Sequence, residues 1–267
     1  MIIELFESLL TPCSQAARKV GYLRGQILIK IRYRQSRRAW QSHLDRTKQL
    51  IRDATEQCPQ RRKAVILGSG LLLDIPLADL SRSFREVVLV DVVHPLKVTL
   101  LAKWFGNVRL VRADVTGTTE RLTQIANSRG TPLPRSNPDL LCDDSDVDYV
   151  ASVNLLSQLP HLPTVYLDKQ HPRPECEIDA FARQLIESHL GYLRRLPGIV
   201  SLITDIEKLQ VDRDGRVVER FDILYGVRVP QADTEWIWEH VPLNRLSKEV
   251  AYHRRVVAIK DIKAIPS

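Results

Sequence analysis

The stretch Lys63-Ala-Val-Ile-Leu-Gly-Ser-Gly-Leu-Leu-Leu-Asp74 is the most informative part of this chain. Its apolar start predicts a buried β-strand, the Gly-Ser-Gly triplet breaks that strand, and the apolar residues that follow begin a helical segment. A second apolar run, Val87-Val-Leu-Val90, ends in Asp91. Parallel sheets covered by helices use such a turn to present backbone N–H groups to a cofactor. Gly68 and Gly70 permit the turn, because glycine accepts positive φ and adds no side chain.

Two further strand-like runs end in polar residues in the same way. Residues 108–115 contain Asp114 near their end, and residues 147–154 finish at Asn154 before an apolar segment. Open α/β sheets bind ligands outside the carboxyl ends of their strands, so these polar residues are expected to meet at one edge. For Asp114 a helix-capping role in Val-Thr-Gly-Thr-Thr-Glu120 would serve equally well.

Residues 63–160 resemble the class I S-adenosylmethionine-dependent methyltransferases. In that family the Gly-x-Gly turn contacts the amino acid part of the cofactor, and an acidic residue ending the second strand binds the ribose. The family often places an acidic residue near the adenine amino group after the third strand, and its fourth strand leads into a segment lining the cofactor. The cofactor-binding residues that the resemblance implies are Gly68, Ser69, Gly70, Asp91, Asp114 and Asn154.

Three positions separate this chain from related families. Leu67 stands where methyltransferases commonly have an acidic residue, and no Asn-Pro-Pro-Tyr or Asp-Pro-Pro-Tyr motif follows the fourth strand, which argues against amino-methylating DNA enzymes. Leu73 replaces the third glycine of a dinucleotide fingerprint, a glycine that is dispensable without a pyrophosphate. S-adenosyl-L-methionine is therefore favoured over NAD. A nicotinamide-dependent oxidoreductase and a non-catalytic module of the same fold stay open as alternatives.

The expected fold is α/β: a Rossmann-like αβα sandwich with a mostly parallel seven-stranded sheet, preceded by an α-helical N-terminal segment. We expect residues 61–267 to form the methyltransferase domain and residues 1–60 a basic helical extension or lid. Thr11-Pro12 favours a helix start, and residues 12–57 are predicted to form two or three helices, with a local strand at Ile27, Ile29 and Ile31 as the alternative.

The last part of the chain matches the family's usual end, an antiparallel pair after the fifth strand. Residues 234–242 and 249–259 are the predicted closing strands, and Asp214-Gly215 predicts a hairpin inserted before them. Trp236 and Trp238 share one face by the period of two, where they pack against a helix or line a substrate pocket.

The proline-rich residues 160–176 are expected to form an irregular loop that covers the substrate. A helix over residues 178–196 is predicted to follow and to end at Pro197-Gly198.

Composition favours a compact cytoplasmic enzyme. The 267 residues are 44% hydrophobic, which supports a sizeable core, and no apolar stretch approaches the roughly 20 residues that a membrane helix needs. The first residues do not resemble an export signal. The four cysteines lie far apart, which fits free thiols in a reducing compartment and predicts no metal site.

The basic charge of the chain is concentrated near its beginning. Between Arg18 and Lys63 there are 14 Lys and Arg residues against 3 acids, so this segment carries about +11 and the remainder about −4 of the total of +7. A helical brace with a solvated cationic face is the simplest interpretation. Binding to RNA or adsorption to an anionic membrane surface are the alternatives.

The resemblance implies transfer of a methyl group to an oxygen or nitrogen acceptor. A methyl sulfonium is already activated, so the protein must chiefly align the acceptor and exclude water, with a base where the acceptor carries a proton. His161 and Asp205 are the predicted substrate-side pair, and His94 is a further candidate. A small-molecule acceptor ranks first and RNA second. Oligomeric state is not encoded in these patterns.

Overall fold

The computed structural model describes residues 11–125, 128, 130–170, 172–243, 245, 247 and 249–264. Within these residues the strands are β1 (Lys63–Leu67), β2 (Glu86–Asp91), β3 (Val108–Arg112), β4 (Val147–Val153), β5 (Ile199–Val211), β6 (Val217–Asp222), β7 (Thr234–Val241) and β8 (Ala251–Ile259). The helices are α1 (Gln15–Val20), α2 (Tyr22–Glu56), α3 (Leu77–Ser83), α4 (Leu96–Phe105), α5 (Thr119–Ile125), α6 (His161–Gln170) and α7 (Glu175–Arg195), with a 3₁₀ turn at Leu156–Gln158. None of these helices is long and apolar enough to cross a membrane.

The strands form a sheet in the order β3-β2-β1-β4-β5-β8-β7. Strands β1 to β5 run parallel, whereas β8 runs antiparallel to β5 and to β7. This confirms the predicted Rossmann-like sheet of seven strands with an antiparallel end. The hairpin predicted after the fifth strand is also present, and its strand β6 pairs with β5 as an eighth strand.

The parallel strands are buried on both faces, as their continuous apolar sequences require. All seven residues of β4 are buried. On one face of the sheet, Ile51 and Ala54 of α2 belong to the core cluster together with Ile66 and Tyr149. On the other face, residues of α7 pack against β1, β2 and β5. Helix α2 therefore belongs to the hydrophobic core as well as to the basic segment.

Helix α2 is bent, and its two halves have different surroundings. Ser36 has non-helical backbone angles (φ −121°, ψ 22°) and marks the bend. One face of the second half is buried and contains Trp40, Leu44, Thr47 and Ile51. The alternative of a strand at Ile27, Ile29 and Ile31 is wrong. Ile27 and Ile31 are partly buried while Ile29 is exposed, which is the four-residue spacing of one helix face.

The prediction that residues 160–176 are irregular is wrong for α6, which occupies much of that stretch. Pro160 precedes the helix and Pro163 lies in its first turn. The N–H groups of a first helical turn have no partner within the helix, so proline removes no hydrogen bond there. The second helix is present as predicted, although α7 begins three residues earlier.

Both closing strands lie where the sequence placed them. On β7, Trp236 is buried while Glu235, Ile237 and Glu239 are exposed, which confirms the predicted alternation. Trp236 donates a hydrogen bond from its indole to His43 of α2, and Trp238 stacks on the same imidazole with ring centroids 4.0 Å apart. The two tryptophans thus pack against a helix.

Candidate cofactor site

The glycine turn after β1 is tightly fixed at the carboxyl edge of the sheet. Gly68 has φ +76°, and a Cβ added to it would lie 3.0 Å from Leu155 Cβ and 3.1 Å from the carbonyl oxygen of Val153. The N–H groups of Gly68 and Ser69 both donate to the carbonyl of Val90, at 3.0 and 3.2 Å. A side chain at Gly68 would push the turn away from the end of β4.

Asp91 ends β2 and holds the same turn. Its Oδ2 accepts a hydrogen bond of 2.8 Å from the N–H of Gly70, and its Oδ1 accepts one of 3.3 Å from the N–H of Val93. Burial raises the pKa of Asp91, and the N–H of Gly70 opposes this. A carboxylate has about four lone-pair sites, so roughly two remain to accept hydrogen bonds from a pair of ligand hydroxyls.

The carboxylate of Asp114 accepts more hydrogen bonds from its neighbours than the carboxylate of Asp91 does. Its Oδ1 accepts from the N–H and the hydroxyl of Thr116, and its Oδ2 accepts from the N–H of Thr118 and from the N–H and hydroxyl of Thr119, all at 2.6–3.0 Å. These five bonds fix the loop that begins α5, so the capping interpretation describes what Asp114 does in this structure. Its contact with an adenine stays a prediction.

The first half of α2 lies over this edge, which sequence reasoning did not anticipate. The side-chain amide of Gln26 is 4.0 Å from where a Cβ on Gly70 would lie, and the hydroxyls of Tyr22 and Thr119 are 3.4 Å apart. Burial raises the pKa of Tyr22, and the carboxylates of Asp114 and Asp91 raise it further. Tyr22 therefore lies within electrostatic reach of both predicted cofactor carboxylates.

Several buried polar atoms at this edge have no hydrogen-bond partner among the residues that the structure describes. They are Gln26 Oε1, Ser69 Oγ, His94 Nδ1 and Asn154 Oδ1. Buried polar atoms are nearly always hydrogen-bonded, so a group of exceptions around one turn calls for a ligand or water. Together with the glycine turn and the free lone pairs of Asp91, these atoms fit a polar cofactor such as S-adenosylmethionine.

Asn154 is the first of several polar side chains that contact one another. It has φ +48°, and its Nδ2 lies 2.7 Å from Asp74 Oδ2 and 3.1 Å from His43 Nε2. The other ring nitrogen of His43 lies 3.1 Å from the indole nitrogen of Trp236. Asp74 is the last residue of the stretch 63–74, but the sequence analysis assigned no role to Asp74 or to His43.

The predicted substrate-side residues have separate partners. Asp205 is buried, accepts a hydrogen bond from the hydroxyl of Ser157, and lies 3.5 Å from the guanidinium of Arg254. His161 is the first residue of α6, and partial burial together with Arg254 and Arg32 lowers its pKa. Arg254 thus influences both residues, while Asp205 is bonded to Ser157. Their catalytic roles stay predictions.

His94 is an unsuitable base where it stands. It is 1% exposed, and its Nε2 lies 3.1 Å from the carbonyl oxygen of Val111, so that nitrogen carries the hydrogen. Burial lowers the pKa of His94. Its Nδ1 is buried and has no hydrogen-bond partner among the described residues.

No protein-family model matches the chain, and no curated protein is similar to it. Among solved structures, the chain is similar to Burkholderia thailandensis 1,6-didemethyltoxoflavin-N1-methyltransferase with S-adenosylhomocysteine bound, at 16% identity over 94% of this chain and 92% of that one, with a TM-score of 0.37.

Two other solved structures are similar to about the same degree. The N-methyltransferase NodS from Bradyrhizobium japonicum is 12% identical over 80% of this chain and 85% of its own, with a TM-score of 0.35. DhpI in complex with SAM and HEP is 12% identical over 91% and 99%, with a TM-score of 0.35. The fold of this chain is assigned from its own strand order.

Three histidines are expected to make stability depend on pH. Burial lowers the pKa of His43, of His189 and of His240 to about 3, against about 6.5 in an unfolded chain. Between these values the unfolded chain binds more protons, so stability is lost as the pH falls. At pH 5 the loss is expected to be about 2 kcal/mol for each histidine. Urea titrations at pH 7 and pH 5 measure it.

The His189→Asn variant serves to isolate this effect. Asp74 and Asp91 act in the opposite sense, because burial raises their pKa values and the folded chain takes up their protons first. The histidine contribution is therefore read from the difference between the natural protein and the variant. The variant should lose about 2 kcal/mol less between pH 7 and pH 5. Equal losses in the two proteins would contradict the assignment of His189 as a buried neutral imidazole.

Proposed function

We propose that this protein is an S-adenosyl-L-methionine-dependent methyltransferase that methylates an oxygen or nitrogen of a small molecule. The observation that carries the proposal is the glycine turn held by Asp91, with buried polar atoms near it that have no hydrogen-bond partner within the described part of the chain. The bound cofactor would supply an activated methyl group. The chain's own task is to hold the cofactor, align the acceptor and keep water out.

Each part of the site has a separate task in this proposal. Gly68, Ser69 and Gly70 bring backbone and hydroxyl groups against the amino acid part of the cofactor, and Asp91 accepts hydrogen bonds from the ribose hydroxyls. The first half of α2 acts as a lid that excludes water, since Gln26 and Tyr22 already contact the edge. Where the acceptor must lose a proton, Asp205 or His161 is the candidate base.

Isothermal titration tests the proposal directly. The full chain is titrated with S-adenosylmethionine, S-adenosylhomocysteine and NAD in parallel. Binding of the first two alone supports a methyltransferase and justifies a screen of acceptors with labelled methyl groups. Binding without turnover on any acceptor would favour a non-catalytic module of the same fold. Binding of NAD alone would favour the oxidoreductase.

The basic segment supports a second candidate, RNA as the acceptor. The exposed residues Arg37 and Arg38 follow the bend of α2 and lie outside the cofactor site. Deleting residues 1–57 is not a clean test, because Ile51 and Ala54 are fully buried in the core. Charge reversal at exposed positions leaves that core in place and is the better experiment.

We expect the double variant Arg37→Glu, Arg38→Glu to methylate a small acceptor as fast as the natural protein. Both side chains are exposed, and surface substitutions of this kind change stability by about 0.5 kcal/mol or less. Methyl transfer and RNA retention are measured at two salt concentrations, with Arg85→Glu, Arg228→Glu as the matched control. Loss of salt-sensitive RNA retention together with RNA methylation, confined to the α2 variant, would favour RNA.

A further inference from the structure

Four side chains from four parts of the fold form one polar chain, buried at Trp236 and His43 and half-buried at Asn154 and Asp74. Trp236 of β7 contacts His43 of α2, His43 contacts Asn154 at the end of β4, and Asn154 contacts Asp74 in the loop after β1. The three contacts are 3.1, 3.1 and 2.7 Å long. Their hydrogens are not independent, because each group must donate where its neighbour accepts.

The indole of Trp236 sets the direction of the whole chain. An indole nitrogen can only donate a hydrogen bond, so Nδ1 of His43 must accept it. Burial lowers the pKa of His43 to about 3, so the ring is neutral at pH 7. A neutral imidazole carries one hydrogen, which must then be on Nε2. His43 Nε2 is therefore a donor toward Asn154.

The Asn154 amide as placed does not match this donor. Its Nδ2, which is itself a donor, lies 3.1 Å from His43 Nε2, while its Oδ1 is buried without a partner among the described residues. The oxygen and nitrogen of an amide have nearly the same shape, and their assignment follows from the hydrogen-bond network. Exchanging them gives His43 an acceptor and removes the conflict between two donors.

The exchange places an additional requirement on Asp74. The amide oxygen of Asn154 then lies 2.7 Å from Asp74 Oδ2. Two oxygen atoms that close need a hydrogen between them, and only the Asp74 carboxyl can carry it.

We propose that Asp74 is a neutral carboxylic acid and that Asp74 and His43 are positioning residues, which hold the Asn154 amide with its oxygen toward them. The NH₂ group of Asn154 is thereby left as a free donor beside the glycine turn. A donor selects an anionic group, so its ligand is the carboxylate of the cofactor's amino acid part rather than the ammonium. This ligand assignment rests on the proposed function, whereas the amide orientation does not.

The surroundings of Asp74 agree with a neutral acid. Burial raises the pKa of Asp74, and the charged group that opposes this is Lys48 of α2. His43 of the same helix is neutral. The end of β4 contributes Asn154, and β7 contributes the indole rings of Trp236 and Trp238 together with the imidazole of His240, whose pKa burial lowers to about 3.

Histidine NMR on the cofactor-free full chain tests the orientation. The ring nitrogens of His43 are assigned through the nearby indole N–H of Trp236, and Trp236→Phe confirms the assignment. We expect the neutral tautomer with hydrogen on Nε2 throughout pH 6–8. Hydrogen on Nδ1, or a ring that becomes charged in this range, would overturn the proposed network.

The Asn154→Asp variant tests the donor. An acid at this position keeps an oxygen that accepts from His43 and Asp74 but loses the NH₂ group. We expect melting within about 3 °C of the natural protein at pH 7 and an affinity for S-adenosylhomocysteine at least about tenfold lower. If Asp74 were ionised, the variant would bring two carboxylates together and melt more than about 5 °C lower, which would overturn the proposal.

Asn107 offers a matched control. Its amide nitrogen donates to the carbonyls of Ser81 and Phe84, at 2.8 and 3.0 Å, so an acid there must oppose two acceptors. Asn107→Asp should therefore lower the melting temperature strongly, by more than about 5 °C, while Asn154→Asp does not.

The outcomes separate the two proposals. If the natural protein binds no S-adenosylhomocysteine, the proposed function and the carboxylate assignment both fail, but the amide orientation still stands or falls by NMR and melting. If the natural protein and Asn154→Asp bind it equally, the donor role is overturned while the proposed function survives.

Discussion

Asp91→Ala is expected to weaken binding of S-adenosylhomocysteine at least about 100-fold, or about 2.7 kcal/mol. The substitution removes the acceptor for the ribose hydroxyls and also the partner of the Gly70 N–H at 2.8 Å. Hydrogen bonds to a charged group are worth about 1.5–3 kcal/mol each, so the two losses together reach this size. Isothermal titration measures the affinity, and circular dichroism checks the fold.

Three further variants test the contribution of the Asp91 charge and the location of the site. Asp91→Asn keeps the shape but removes the charge, so an intermediate loss is expected. Asp79→Ala removes a carboxylate that pairs with Arg52 at the surface, and it should leave the affinity unchanged. Gly70→Arg should abolish binding as well, because a side chain there fills the space before Gln26. Retained affinity in both Asp91→Ala and Gly70→Arg would refute the proposed site.

The parts of the site that sequence predicted are those encoded locally. A strand, a Gly-Ser-Gly turn and an acid ending the next strand are adjacent in sequence or one crossover apart. Parallel strands bring their carboxyl ends to one edge, so Asp91 had to lie near Gly70 once the sheet existed. The alternation around Trp236 was likewise sufficient to assign its face.

The parts that sequence missed depend on packing between distant residues. His43 contacts residues 111 and 193 positions away, and no periodic pattern relates it to Asn154 or Trp236. Gln26 lies near Gly70 and Tyr22 lies near Thr119, contacts between parts of the chain that are far apart in sequence. The many charged residues of that helix indicated its exposed faces but did not indicate which face is buried.

At two places in the chain the local sequence was not sufficient, and the structure was needed to assign the role of a residue or the conformation of a segment. Asp114 matched both a cofactor acid and a helix cap, and its five bonds to neighbouring threonines describe the cap. The prolines around α6 indicated an irregular loop, although Pro163 falls in the one turn where a helix accepts proline. Proline content alone does not distinguish a loop from a helix start.

The largest effect on stability is expected from Gly198→Ala. Gly198 has φ +66°, and a Cβ added to it would lie 2.4 Å from both the carbonyl carbon and oxygen of Asp148. Neither backbone can yield easily, since Tyr149 and Ile199 are paired in the sheet and Arg62 binds the Asp148 carboxylate. We expect a loss of about 4 kcal/mol or failure to fold, measured by urea unfolding.

Other glycines separate the causes of this loss. Gly215 also has positive φ, at +81°, but nothing lies within 4 Å of an added Cβ, so Gly215→Ala should cost only the backbone strain of about 1 kcal/mol. Gly191 lies in α7 with equally open space, and Gly191→Ala should stabilise by about 0.5–1 kcal/mol. Equal effects at Gly198 and Gly215 would mean that backbone strain, and not the contact with β4, makes glycine necessary. Because Gly198 lies at the amino end of β5, opposite the cofactor edge, any folded Gly198→Ala protein should still bind S-adenosylhomocysteine with unchanged affinity.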